Sequence, residues 1–153
     1  ADHSTRRNTG ISLATMSRGV TRTAARDAPW LLMGAKTLSY AVNMAATREA
    51  RRRGADEALF HTVDGFVMEG PVSSVVMRRG NVLLTPDPGI GILEGTTQRM
   101  SSLTPHHSDS SRSTSRSIRT NSPQWTLCGC SGAGAWRFRC TASTAPMCRQ
   151  TPR

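Results

Sequence analysis

The sequence predicts an α+β fold over residues 11–99, on three observations. Leu38 to Arg53 is an alanine-rich stretch of helical character. Ala58 to Thr85 alternates short apolar runs with Gly-, Asn- and Pro-bearing turns. The composition then changes abruptly near Arg99. Thirteen basic and nine acidic residues precede Met100, against seven and one from there on, and all four cysteines (Cys128, Cys130, Cys140, Cys148) lie in the second part. The chain of 153 residues carries a net charge of +10, with 37% hydrophobic and 5% aromatic residues, which bounds it to one domain with a modest core. No run approaches the length of a membrane span and no signal-peptide core stands at the start, so the expected location is cytoplasmic.

Residues 1–10 read as an unassigned polar lead-in. Ile11 to Val20 suggests one strand. Asp27-Ala28-Pro29-Trp30 is expected to turn, because Pro29 restricts the residue before it. The helix over Leu38 to Arg53 has Ser39 as a candidate cap, three arginines (Arg51, Arg52, Arg53) in its last turn and Gly54 after it. Val42, Ala45, Ala46 and Ala50 form a small-residue face suited to packing on a sheet. The arginine cluster is read as a solvated helix end, the alternative being a phosphate patch. Ala58 to Val63 runs into Asp64-Gly65, a hairpin signal, and Phe66 to Glu69 returns. Val72 to Arg78 is the next strand, and Arg79-Gly80-Asn81 turns into Val82 to Leu84. His61 is a strand residue with no second metal-ligating residue near it.

Lys36 is the only lysine in a chain that otherwise writes positive charge as arginine. Arginine stays protonated, whereas a lysine in an apolar setting, here Leu31 to Ala35, can lose its proton and attack a carbonyl. Gly95-Thr96-Thr97 is expected to open a helix, whose free N–H groups and threonine hydroxyls suit a phosphate.

Lys36-Thr37-Leu38-Ser39-Tyr40, Arg48-Glu49-Ala50, Gly54-Ala55-Asp56-Glu57-Ala58, Asp64 to Gly70 and Leu93 to Arg99 stand in one order. In that order and spacing the chain resembles fold-type IV pyridoxal-phosphate enzymes, the family of branched-chain and D-amino-acid aminotransferases and 4-amino-4-deoxychorismate lyases. The resemblance covers residues 11–99 and implies part of that family's C-terminal cofactor-binding domain. It implies pyridoxal 5'-phosphate in Schiff-base linkage to Lys36, which also shuttles protons. Glu69 would pair with the pyridine nitrogen, Tyr40 would sit beside the cofactor, Leu93 would pack on the ring, and Thr96 and Thr97 would hold the phosphate. Ser73 and Ser74 fall where the family has a polar pair. Elimination of pyruvate from 4-amino-4-deoxychorismate is the expected reaction, with transamination of a branched-chain or D-amino acid as the alternative. A homodimer acting on a small amino-acid-like substrate is implied. The family's N-terminal domain has no counterpart before Ile11, and its strands beyond the Gly-Thr-Thr helix are missing as written. The isolated chain is therefore expected to turn over weakly.

Residues 100–153 are rich in Ser, Arg and Cys and read as a disordered basic tail. A nucleic-acid-binding protein is the rival function, with arginines on phosphates and Trp125, Trp136 and Phe138 stacking on bases. No metal site is expected, because Cys128-Gly129-Cys130 is too tightly spaced for a zinc knuckle. Translation out of frame from near Arg99–Ser101 would explain the composition break, the clustered cysteines and the lost resemblance together.

Overall fold

The computed structural model describes residues 11–79 and 82–96 and, beyond them, the backbone of five strands. Strand β1 (Leu13–Ser17) leads through a short helix, α1 (Ala24–Asp27), and a 3-10 turn (Pro29–Leu31) to helix α2 (Ala41–Arg52). Strands β2 (Glu57–His61), β3 (Ser74–Arg79) and β4 (Val82–Pro86) follow, then a second 3-10 turn (Pro88–Ile90). β1 and β2 pair in parallel, Leu13 opposite Glu57 and Ser17 opposite His61. A parallel pair needs a long crossover, and α2 supplies it. A clasp holds the two strand starts together: the Ser12 amide and hydroxyl both donate to Asp56 Oδ2 at 2.7 Å, and the Asp56 amide returns to the Ser12 carbonyl at 3.0 Å.

The alternation of a strand sends neighbouring side chains to opposite faces, and here it separates two cores. Ala14, Ala58 and Phe60 face α2, where they meet Ala46, Ala50 and Met68. Leu13 and Leu59 face the other way, onto Val75, Met77 and Leu84 of the β3–β4 sheet. The result is three layers: helix, β1–β2 sheet, β3–β4 sheet. β3 and β4 are antiparallel, with Met77 opposite Leu84 and Arg79 opposite Val82. Buried Thr85 donates its hydroxyl to the Val75 carbonyl at 2.9 Å, so its polar atom is satisfied inside the layer.

The hairpin expected at Asp64-Gly65 is present. The Gly65 amide donates to Thr62 O, Thr62 N to Phe66 O, and His61 bridges Val67. The helix is shorter at its start than expected. Ser39 does not cap it: Tyr40 is the N-cap residue, with no side-chain cap bond. The Thr37 hydroxyl instead accepts from the Ser39 amide at 3.3 Å, a local turn that competes with helix formation. Its packed face is also rotated, because Val42 and Ala45 are exposed while Ala46 and Ala50 are buried and Asn43 and Thr47 are half-buried. The arginine cluster behaves as a solvated helix end: Arg52 and Arg53 both bond Glu49 at 2.7 Å. Those hydrogen bonds, that from Arg52 first, pull the Glu49 carboxyl down to about 2.

Within 100–153, five segments expected to be disordered are strands: β5 (Ser111–Ser115), β6 (Trp125–Ser131), β7 (Gly134–Ala135), β8 (Phe138–Cys140) and β9 (Met147–Cys148). β5 pairs with β4, β6 with β3 and β9 with β1. These pairings occupy the strand edges of β1, β3 and β4, which would otherwise present unpaired backbone groups. The remaining residues of this segment, and Gly80, Asn81 and Thr97, lie outside the described residues.

Ala50 is fully buried between α2 and the sheet. Ala50→Leu is expected to cost about 1–3 kcal/mol by overpacking, read from urea denaturation, whereas Ala45→Leu on the exposed face is expected to change stability little.

Candidate functional site

Three segments enclose a cleft of about 800 Å³: the loop 31–40 with the start of α2, the stretch 68–74, and residues 91–96. Arg18 and Phe60 complete its lining. The cleft brings together Lys36, Tyr40, Glu69, Leu93 and Thr96, and also Ser73 and Ser74.

Glu69 arrives through a break in strand pairing. Phe60 donates its amide to the Glu69 carbonyl and accepts at its own carbonyl from the Met68 amide, both at 2.9 Å. Two residues thus oppose one, a β-bulge, which re-aims a side chain and locally breaks the alternation. Met68 stays buried with the helix-side core, and Glu69 shares the cleft with it and with Phe60. Beyond the bulge the chain turns sharply, the Gly70 amide donating to Ser73 O at 2.9 Å. Asn43, one turn into α2, donates its side-chain amide to Pro71 O at 2.6 Å and ties this turn to the helix that follows the lysine loop.

The lysine loop is fixed by close backbone approach. Gly34 has φ +77, and a Cβ there would stand 2.8 Å from the Ile92 carbonyl oxygen. Gly91 has φ +89, and a Cβ on it would meet the Met33 side chain at 2.7 Å. Only glycine serves at either crossing. Leu32, two residues before Gly34, has φ +50, a conformation that costs a residue with a Cβ about 1–2 kcal/mol. This left-handed turn throws Leu31 and Leu32 outward, with 52% and 62% of their surface exposed. The apolar run that leads to Lys36 therefore does not bury it: Lys36 is exposed on the cleft wall. Tyr40, also exposed, borders the cleft at the N-terminus of α2.

The third segment starts where Asp87 caps the 3-10 turn, its Oδ1 accepting from the Gly89 amide at 2.7 Å. The chain then passes Gly91 and reaches Leu93, whose amide donates to Glu69 Oε2 at 3.1 Å. Thr96 is helical and exposed. Burial pushes the Glu69 carboxyl up to about 7, against the opposing pull of the Leu93 amide and the Arg18 charge. Arg18 lies with its guanidinium carbon 5.0 Å from the Phe60 ring centroid. Neither Arg18 nor Asn43 stands out in the sequence: each is one of many residues of its kind, and only strand register and helix phase bring them here. Among the described residues, no cluster of three metal-ligating side chains occurs.

The amino-transferase class IV family model matches residues 4–104. The chain belongs to that family. It is 48% identical over 100 residues to a Mycobacterium tuberculosis protein named bifunctional aminodeoxychorismate lyase / D-amino acid transaminase, covering 61% of this chain and 35% of that one. It is 36% identical over 88 residues to the aminodeoxychorismate lyase of Bacillus subtilis, covering 58% of this chain and 30% of that one. Among solved structures, the pyridoxal-phosphate-bound form of a hypothetical aminotransferase from M. tuberculosis matches with a TM-score of 0.79 and 36% identity, over 97% of this chain and 52% of that one. A fold IV transaminase from Curtobacterium pusillum matches with a TM-score of 0.77 and 36% identity, over 90% and 47%. The chain thus spans about a third of the curated relatives, 35% and 30% of their lengths, and is an enzyme by ancestry. No described helix is long and apolar enough to cross a membrane.

Two outcomes are expected. Gly34→Ala is expected to lower stability by roughly 1–3 kcal/mol and to displace the loop that carries Lys36. Solvent exchange of the backbone amides of 33–36 and 91–93 checks this, both segments losing protection together. The second concerns Glu69, whose folded pKa of about 7 exceeds the ordinary 4.5. The folded state then binds the extra proton between those values, so this group's contribution is full below pH 4.5 and is lost as pH rises through about 7. The loss is at most about 3 kcal/mol, less what solvent screening removes. Glu69→Gln is expected to flatten that part of the stability–pH curve.

Proposed function

We propose that this chain is the cofactor-binding part of a pyridoxal-phosphate-dependent lyase that releases pyruvate from 4-amino-4-deoxychorismate and leaves 4-aminobenzoate. The observation that carries the reading is Glu69. It is a largely buried carboxyl facing the same cleft as the chain's only lysine, and among the described residues its hydrogen bond comes from the Leu93 amide. A carboxylate so placed fits a cationic ring N–H, and the cleft volume of about 800 Å³ fits a ligand of that size.

Pyridoxal phosphate, when bound, supplies an electron sink for charge released at a substrate's α-carbon. Lys36 would hold the aldehyde end and carry protons to and from that carbon. Glu69 would keep the ring nitrogen protonated. Leu93 would pack against the ring and Tyr40 would border it. Thr96 and Thr97 would bind the phosphate where a helix start offers its N–H groups. A cytoplasmic homodimer acting on a small amino-acid-like substrate belongs to the same proposal. Transamination is the second reading, favoured by the bifunctional name of the M. tuberculosis relative. Nucleic-acid binding rests on arginine and aromatic side chains outside the described residues.

The test uses the uniqueness of Lys36. After incubation with pyridoxal phosphate and reduction with borohydride, peptide mass analysis is expected to find the adduct on Lys36, and Lys36→Arg is expected to lose it. An adduct confined to a backbone α-amine, with none on Lys36, would overturn the reading. Pyruvate release from 4-amino-4-deoxychorismate without any added keto acid marks the lyase, and turnover that needs a keto acid marks the transaminase. Lys36→Ala is expected to lower either rate by 10²–10⁴-fold, on the order of what a lost proton-transfer group costs.

A further inference from the structure

Three crossings close the rim of the cleft. Gly34 meets the Ile92 carbonyl, the Leu93 amide meets Glu69 Oε2, and the Asn43 side-chain amide meets the Pro71 carbonyl. The first two join the lysine loop to residues 91–93, and these to the acid. The third returns from the turn after the acid to α2, whose chain runs back through Tyr40 to Lys36. We propose that Asn43 is a positioning residue for Glu69: by holding the Gly70–Ser73 turn against α2, it fixes the point from which the Glu69 side chain reaches the Leu93 amide. The placement belongs to the cofactor-free protein, and its use in holding a ligand rests on the proposed function.

The turn depends on this bond because its two ends are held unequally. Gly70 is buried, its amide donates to Ser73 O at 2.9 Å, and a Cβ on it would collide with Ser73 Oγ and stand 3.4 Å from Ala58 O. The base of the turn is thus packed on β2. At the tip, Val72 is 56% exposed, while Pro71 is buried and has no N–H to give. Among the described residues, the hydrogen bond that reaches this tip from another element is the 2.6 Å bond from Asn43. A buried carbonyl without a partner is costly, so losing the donor both frees the turn and leaves the Pro71 oxygen unsatisfied. Asn43 is itself held in phase on α2: the Thr47 hydroxyl donates to the Asn43 carbonyl at 3.0 Å, and both residues are half-buried.

If Asn43 only stabilises α2, its loss loosens the whole domain alike. If it positions Glu69, the loss is felt on the far wall of the cleft, at the Leu93 amide. The experiment reads amide hydrogen exchange of the full chain without added pyridoxal phosphate. It compares wild type with Asn43→Leu, which keeps the volume but has no donor, and Asn43→Gln, which keeps the donor. Thr47→Val, which removes the other side-chain bond at this turn of the helix, is the control. Asn43→Leu is expected to speed exchange of the Gly70 and Leu93 amides about tenfold, the size of effect when a buried acceptor loses its donor. The Val63 amide, bonded to Val20 O at 2.8 Å, is expected to keep its wild-type rate. Asn43→Gln is expected to restore most of the protection, and Thr47→Val to leave Gly70 and Leu93 unchanged. Unmoved Gly70 and Leu93 amides, a rise shared by Val63, or an equal rise in Thr47→Val overturns the proposal. Should Asn43→Leu fail to fold, Asn43→Ala reads the same amides and decides in the same way. With pyridoxal phosphate added, Asn43→Leu is expected to bind it about tenfold more weakly than wild type, and an unchanged affinity overturns the role in the site. Failure of the wild type to form the Lys36 adduct would count against the cofactor reading and leave the exchange pattern intact.

Discussion

The site depends on a place where backbone touches backbone. Gly34 passes so close to the Ile92 carbonyl that a Cβ would stand 2.8 Å from its oxygen. Lys36 lies two residues after this crossing, and Leu93, the hydrogen-bond donor to Glu69, lies one residue after it. A shift in either strand of the crossing would move the amine, the acid's donor or both. The glycines at 34 and 91 therefore set the width of the cleft, and the named chemical groups are hung on that frame. Asn43 closes the frame from the other side by holding the Glu69–Gly70 turn through Pro71.

Much of this was legible in the residues. The hairpin at Asp64-Gly65, the helix before Gly54 and the two strands around Gly80-Asn81 follow from local turn chemistry and apolar runs, which act over a few residues. Lys36, Tyr40, Glu69, Leu93 and Thr96, singled out in the sequence, line one cleft. What stayed hidden depends on long-range geometry. Ser39 looks like a cap, yet Thr37 captures its amide first. The leucines before Lys36 look like a burial signal, yet the left-handed turn at Leu32 directs them to solvent. A bulge at Met68–Glu69 adds no recognisable residue type, so nothing in the sequence marks the one irregularity that brings the acid into the cleft.

The layering shows why a lean composition suffices. The β1–β2 sheet is covered on one side by the small residues of α2 and on the other by the branched and long side chains of β3 and β4. Alanine against sheet allows close approach with little volume to fill, so few aromatics are needed. Phe60 and Phe66 are the buried aromatics among the described residues, and each carries an arginine over its ring, Arg18 and Arg22.

The parallel pairing of β1 with β2 also sets an order of events. Forty-four positions separate Ser12 from Asp56, and the clasp between them closes a loop that contains the whole Lys36 segment. Closing so long a loop carries an entropic cost that grows with its flexible length. The β2 hairpin can form early and present Glu69 while the lysine is still unplaced. Amine and acid come to share a cleft only when the crossover shuts, so the clasp between Ser12 and Asp56, far from either group, is a condition for the cleft.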